Sequence, residues 1–111
     1  MEWDIKYYNQ SVEESILHLP DGLLARYLRL TDLMEALGSN LGMPHTKLVE
    51  KNLFELRLKS KEGIARVFYC AKIGKKIIML HMFIKKTQKI PKKELRVATE
   101  RLKEVLADDS R

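Results

Sequence analysis

The chain has 111 residues, 45% hydrophobic and 32% charged, which is enough for one folded domain and too little for a second. Its net charge of +6 favours an anionic partner, and a single cysteine, Cys70, excludes an internal disulfide and any cysteine-based metal cluster. With neither a basic, apolar leader at its start nor a run approaching ~18 apolar residues, the expected location is a reducing cytoplasm with no membrane contact.

Trp3, Ile5 and Tyr7 alternate with Asp4, Lys6 and Tyr8, the period of a half-buried strand. Asn9 or Ser11 then caps a short helix reaching Leu19, with Glu13 and Glu14 in the first turn where the helix dipole favours acids. Pro20-Asp21-Gly22 interrupts it. A longer helix follows on a stripe of Leu23, Tyr27, Leu30, Met34 and Leu37, broadened by Leu24 and Leu28, and ends near Gly38. The stretch from Ser39 to His45, with Gly42 and Pro44, reads as loop, after which 47–50 makes a short strand and Lys51-Asn52 a turn. Residues 53–59 alternate Phe54, Leu56 and Leu58 against Glu55 and Arg57. A turn at 60–63 returns the chain through a strand at 64–71, and Gly74-Lys75 turns it again. The most apolar strand, 76–84, is expected at the centre of the sheet.

Pro91 suits the first turn of a last helix, in which Leu95, Ala98, Leu102 and Val105 form the apolar stripe and Lys92, Lys93, Arg96 and Lys103 stay outside. Asp108-Asp109-Ser110-Arg111 is expected to fray, so that 1–107 is the domain. The order β-α-α-β-β-β-α defines an α+β fold: one antiparallel-rich sheet, an N-terminal helical hairpin and a C-terminal helix, with the helices on one face of the sheet.

Charge is uneven along the chain. Between Lys85 and Lys103 there are eight Lys or Arg and only two acids, Glu94 and Glu100, whereas the first twenty or so residues are net acidic. His18, His45 and His81 lack metal-ligand spacing, and no nucleophile elbow, glycine-rich phosphate loop or paired-acid constellation occurs, so hydrolase, kinase and dehydrogenase chemistry fall away. What remains is cation on strands. Arg57 and Arg66 lie on opposite limbs of a hairpin and Lys85 ends the next strand, where a strand spacing of about 4.8 Å lets all three reach one ligand. Alternation places Arg66, Phe68 and Cys70 on one face, and His81, Phe83 and Lys85 likewise. If the helices cover Ile78, Leu80, Met82 and Ile84, the cations line the open side with a phenylalanine among them, the arrangement that grips single-stranded nucleic acid. Each residue also has a plainer role: Arg57 as partner of Glu55 or Glu50, Lys85, Lys86 and Lys89 as a solvated rim, Tyr69 and Phe83 as core, and His81 as a semi-buried histidine.

The segments Gly42-x-Pro44-x-x-Lys47, Leu53-Phe54-Glu55-Leu56-Arg57, Arg66-Val67-Phe68-Tyr69 and Leu80-His81-x-Phe83-x-Lys85-Lys86-Thr87-x-Lys89-x-Pro91, in that order, resemble the phage-derived Gp49-like, HigB-type branch of the RelE/ParE toxin superfamily. The resemblance covers nearly the whole chain. It implies a compact α+β toxin of a type II toxin–antitoxin system that enters the A site of the 70S ribosome and cuts translated mRNA, and that a HigA-type helix-turn-helix antitoxin neutralises. Arg57 and Arg66 match the family's E-L-R and R-x-x-Y strands, and Lys85, Lys86 and Thr87 its lysine rim.

On that reading the RNA's 2′-hydroxyl attacks the adjacent phosphate without metal or cofactor. Arg57 and Arg66 stabilise the charge that develops, Lys85 or Lys86 protonates the leaving oxygen, and His81 is the other acid-base candidate. Phe83, Thr87, Lys89, Lys92 and Lys93 are the expected RNA-binding residues, and Arg66→Ala is expected to abolish activity with the fold intact. The chain lacks the C-terminal tyrosine or histidine that some RelE-type nucleases place after the rim. A ParE-like, non-nucleolytic action on DNA gyrase and a non-enzymatic basic RNA-binding module therefore stay open.

Overall fold

The first strand, β1 (Asp4–Tyr7), leads into helix α1 (Gln10–Leu17), whose cap is Asn9: its side-chain oxygen accepts the Val12 N–H at 2.9 Å. A computed structural model describes residues 2–109 of the chain. Helix α2 (Asp21–Leu37) starts directly after Pro20, so Asp21 and Gly22 lie inside it. No side chain at Pro20 caps it, and the Gly22 amide is met instead by Glu62 from a distant turn. At its far end Gly38 takes φ 111°, a left-handed conformation natural to glycine, and its amide closes on Met34. Strands β2 (Thr46–Glu50), β3 (Leu53–Ser60), β4 (Gly63–Lys72) and β5 (Lys76–Ile84) follow, then helix α3 (Lys92–Asp109). Helix α3 continues through Asp109, and the rest of the tail expected to fray lies outside the described residues.

The five strands form one sheet in the order β1-β5-β4-β3-β2. Strands β2 to β5 run as an antiparallel meander, and β1 adds to β5 in parallel, making the sheet mixed. β4 takes the middle position, and the more apolar 76–84 strand lies beside it as an interior strand, its outer edge covered by the returning N-terminal strand.

The helices take both faces of the sheet, which corrects the one-face expectation. Against one face α1 and α2 press Val12, Ile16, Leu23, Tyr27, Leu30 and Met34 onto Leu56, Leu58, Val67, Tyr69, Ile77 and Met79. Against the other, α3 brings Ala98 and Leu102 onto Leu53, Phe68, Cys70, Ile78, Leu80 and Phe83. Five short strands bury residues on both sides, so one helical layer cannot cover them. The α2 stripe is narrower than its periodicity suggests. Leu28 is 49% exposed and Leu37 73% exposed, while Thr31 is buried with its hydroxyl donated to the Tyr27 carbonyl at 2.9 Å.

A bulge in β5 sets the faces. Phe68 pairs with His81 and Tyr69 with Met79, leaving Leu80 as the extra residue. Its carbonyl accepts from Arg101 Nη1 of α3 at 2.7 Å. Leu80 and His81 therefore both turn towards α3, and beyond them Phe83 faces α3 while Met82 faces α1 and α2. Strict alternation, with Ile78, Leu80, Met82 and Ile84 on one side, does not survive this insertion.

Candidate functional site

Helix α3 covers only part of its face. Beyond its start the same face continues as Arg57 paired with Arg66 across β3 and β4, and Arg66 paired with Phe83 across β4 and β5. Lys85 follows, held where its amide donates to the Ile64 carbonyl at 2.8 Å. These three cations line one hollow of about 460 Å³, together with Lys59, Arg26 from α2, Gln88, and Pro44 and His45 from the loop before β2. Their convergence follows from register: residues paired across adjacent strands point to the same side.

The loop is tied down. The Thr46 hydroxyl bonds Asn40 Oδ1 at 3.0 Å and accepts the Gly42 amide at 2.8 Å, and the Tyr69 hydroxyl donates to the Ser39 carbonyl. The His45 carbonyl accepts the Arg57 amide at 2.8 Å, which brings the histidine to the hollow beside the arginine.

Arg66 forms the floor, only 4% exposed, while the Arg57 side chain is 29% exposed at the wall. Behind them sits Glu55, 3% exposed, with Oε1 3.4 Å from Arg66 Nε and 3.8 Å from Arg57 Nη1. Burial pulls the Arg66 pKa down, Glu55 pushes it back up and Arg57 lowers it. A guanidinium starts so high that it stays charged regardless. The Lys85 ammonium is also lowered, first by desolvation and then by Arg66, against the opposing pull of Glu55. The hollow thus holds fixed positive charge and one lysine made readier to release its proton.

The other expected site residues lie elsewhere. Lys86, Thr87 and Lys93 border a second hollow of about 500 Å³ with Ile84, Pro91 and Glu94, and a smaller one bounded by Ile64, Lys85, Lys86, Thr87 and Gln88 shares residues with both. Lys89 is exposed, its carbonyl accepting the Thr87 hydroxyl at 2.9 Å, and Lys92 sits beside Arg96 and Lys103 along α3. Phe83, 7% exposed, stacks on Phe68 with ring centres 5.5 Å apart, so its ring belongs to the core while also lining the second hollow. His81 is drawn to Glu94 of α3, Nε2 to Oε2 at 3.2 Å, and does not line the cation hollow.

Five polar residues of the site lack a site role in the sequence reading: Arg26, His45, Lys59, Gln88 and, as more than a partner for Arg57, Glu55. Lys59 had a readable signal, since it shares a strand face with Arg57 two positions away. Arg26 had none, because only the packing of α2 brings it near. Among the described residues no group of three or more His, Cys, Asp or Glu is placed to hold a metal, and no helix is long and apolar enough to cross a membrane.

A mixed five-stranded sheet with a helical hairpin on one face and a single helix on the other gives an α+β protein of RelE-like fold. A chain in the crystal structure of the archaeal RelE-RelB complex from Pyrococcus horikoshii OT3 matches this fold with a TM-score of 0.50 and 21% identity, covering 76% of this chain and 96% of that one. No curated protein matches the sequence. Residues 14–103 match the family described as Phage derived protein Gp49-like (DUF891). The chain belongs to that family, a family of RelE/HigB-type toxins, in agreement with the resemblance carried by its strand and rim motifs.

Proposed function

We propose that this protein is the toxin of a type II toxin–antitoxin system and a ribosome-dependent endoribonuclease that cuts translated mRNA in the A site. A HigA-type helix-turn-helix antitoxin is its neutralising partner, and the cytoplasm its place of action. One observation carries the reading: Arg26 from α2, Arg57 and Lys59 from β3, Arg66 from β4 and Lys85 just after β5 surround a single hollow large enough for a phosphodiester and its flanking sugars.

The chemistry follows from the charges. The 2′-oxygen forms a bond to phosphorus as the bond from phosphorus to the 5′-oxygen breaks, giving a 2′,3′-cyclic phosphate and a free 5′-hydroxyl. The phosphorane carries extra negative charge, which fixed guanidinium donors at Arg57 and Arg66 meet better than mobile water can. His45, which lines the hollow beside Arg57, takes the 2′-hydroxyl proton. Lys85, its pKa lowered by burial and by Arg66, gives a proton to the 5′-oxygen. Lys86 and His81, outside the hollow, have no part in this step. The ribosome supplies alignment, holding the message so that attacking and leaving oxygens stand in line.

Purified protein, 70S ribosomes programmed with a defined message, and mapping of the new 5′ ends test the proposal. Cleavage confined to the A-site codon and dependent on the ribosome is the expected result. Equal cleavage of naked RNA would overturn the ribosome dependence. Intact messages accompanied by gyrase-linked DNA breaks would move the protein to the gyrase-directed class.

A further inference from the structure

Glu55 has no assigned task in the reaction above, yet it occupies the most protected position in the site. It stands in mid-β3 between the core residue Leu53 and Arg57, paired across the sheet with Phe68 on one side and Lys47 on the other. A carboxylate buried beside Phe68 is costly unless it is well partnered. The partnering here is incomplete: Oε2 is buried without a hydrogen-bond partner among the described residues, and the 3.4 Å contact of Oε1 with Arg66 Nε lacks hydrogen-bond alignment. A closed arginine–carboxylate pair makes two parallel N–H···O bonds. Glu55 instead approaches Arg66 from the side, through Nε, and Nη1 goes to the Ala65 carbonyl at 3.2 Å, leaving Nη2 for a ligand.

We infer that Glu55 is a positioning residue of the cation hollow, the fixed counter-charge that holds Arg66 and Arg57 in the orientation in which they meet the scissile phosphate. A second consequence concerns Lys85. Lys85 shares the hollow with Arg66 from β4, Arg57 and Lys59 from β3, Arg26 from α2 and His45; Arg66, Arg57 and Lys47 of β2 draw its pKa down, and Glu55 behind the arginines is the anion that opposes them. Removing that anion makes the Lys85 ammonium a stronger acid, and the pH above which the leaving oxygen loses its proton donor falls.

The rate part of this inference rests on the endoribonuclease reading, and the titration part does not. The full chain is compared with Glu55→Gln, which keeps the shape and removes the charge, and Glu55→Asp, which keeps the charge and withdraws it from Nε. Two measurements are made: the titration of Lys85 by NMR with labelled lysine side chains, and single-turnover cleavage on programmed ribosomes at saturating protein across pH. Glu55→Gln is expected to lower the Lys85 midpoint, to move the alkaline limb of the rate profile to lower pH by the same amount, and to slow cleavage about tenfold or more. Glu55→Asp is expected to slow cleavage while keeping the Lys85 midpoint above that of Glu55→Gln. A folded Glu55→Gln protein with an unmoved Lys85 midpoint overturns the inference, as does one that cleaves at the parent rate. Should Glu55→Gln fail to fold, Glu55→Asp decides: cleavage at the parent rate overturns the positioning role. If the parent protein cleaves nothing while the Lys85 midpoint shifts as expected, the endoribonuclease reading falls and Glu55 stands as the counter-charge of an anion site.

Discussion

One face of one sheet carries two regions of opposite character. Under α3, Phe68, Cys70, Leu80 and Phe83 are sealed by Ala98 and Leu102. Two residues further along the strands, beyond the start of that helix, the same face bears Arg57, Arg66 and Lys85 around an open hollow. Arg66 pairs directly with Phe83, and Glu55 directly with Phe68, so the boundary between core and site falls between neighbours in a single ladder. What separates them is cover. Where a helix removes water, an apolar side chain gains about 25 cal/mol for each Å² it buries. Where no helix lies, a buried arginine keeps a counter-ion behind it and a ligand-sized opening before it.

The largest expected effect comes from crossing that boundary at Arg66. Arg66→Ala removes an oriented cation, for which a rate loss on the order of 100-fold or more is usual. It also strands Glu55, which is 3% exposed, without its nearest partner. Breaking a buried pair from one side costs about 3–5 kcal/mol, so urea unfolding should register a loss that sequence alone did not lead one to expect. Arg66→Lys should recover much of the stability and little of the rate, because an ammonium cannot present the same planar donors.

Leu80→Ala tests the covered half. Leu80 is fully buried under α3, and its truncation should cost about 2–5 kcal/mol of stability while the folded molecules cleave at the parent rate. Arg57→Ala is the converse. Its side chain is 29% exposed, so stability should change by less than about 1 kcal/mol, while single-turnover cleavage falls on the order of 100-fold. If Leu80→Ala slowed cleavage and Arg57→Ala did not, the division between the two regions would be drawn in the wrong place.

Alkaline pH probes the opposite face of the sheet. Burial raises the phenol pKa of Tyr27 and of Tyr69 above the ordinary 10.0, and the Tyr27 hydroxyl also shares a 2.8 Å hydrogen bond with Tyr7. The unfolded chain gives up these protons near pH 10 and the folded chain keeps them, so this contribution is complete below about pH 10 and is lost as pH rises beyond it. Tyr27→Phe should flatten that decline in thermal melts. Lys85 acts in the other direction: its folded-state pKa is lowered from 10.5, so stability rises with pH through the window below that value, and Lys85→Met should abolish the rise.

The smallest effect belongs to Lys92, exposed on α3 and away from the hollow. Lys92→Ala should reduce the salt slope of ribosome binding by about 0.7–0.9 and leave cleavage at saturating ribosome unchanged. A requirement for Lys92 in the cleavage step itself would extend the site along α3.

Much of this was legible in the chain before any packing was considered. The strands at 53–59, 64–71 and 76–84 and the helix opening after Pro91 follow local periodicity, and the meeting of Arg57, Arg66 and Lys85 needs only strand spacing and a hairpin. Leu28 and Leu37 misled because a helical stripe records which residues can be buried, whereas the sheet beneath determines how far along the helix burial extends. Phe83 and His81 misled for a related reason, since the extra residue at Leu80 and the approach of α3 arise from long-range pairing. Arg26 reaches the hollow only through the packing of α2, and no pattern around it announces that.

Sequence by itself determined the elements, their order, the excess of cation at the end of β5 and the family to which these motifs belong, because backbone periodicity and covalent neighbours act over a few residues. Tertiary structure alone decided which cations share a hollow, which aromatic rings become core, and that a buried glutamate stands behind the arginines. Burial and electrostatic environment are set by segments tens of residues apart, and a side chain's chemistry depends on what those segments cover.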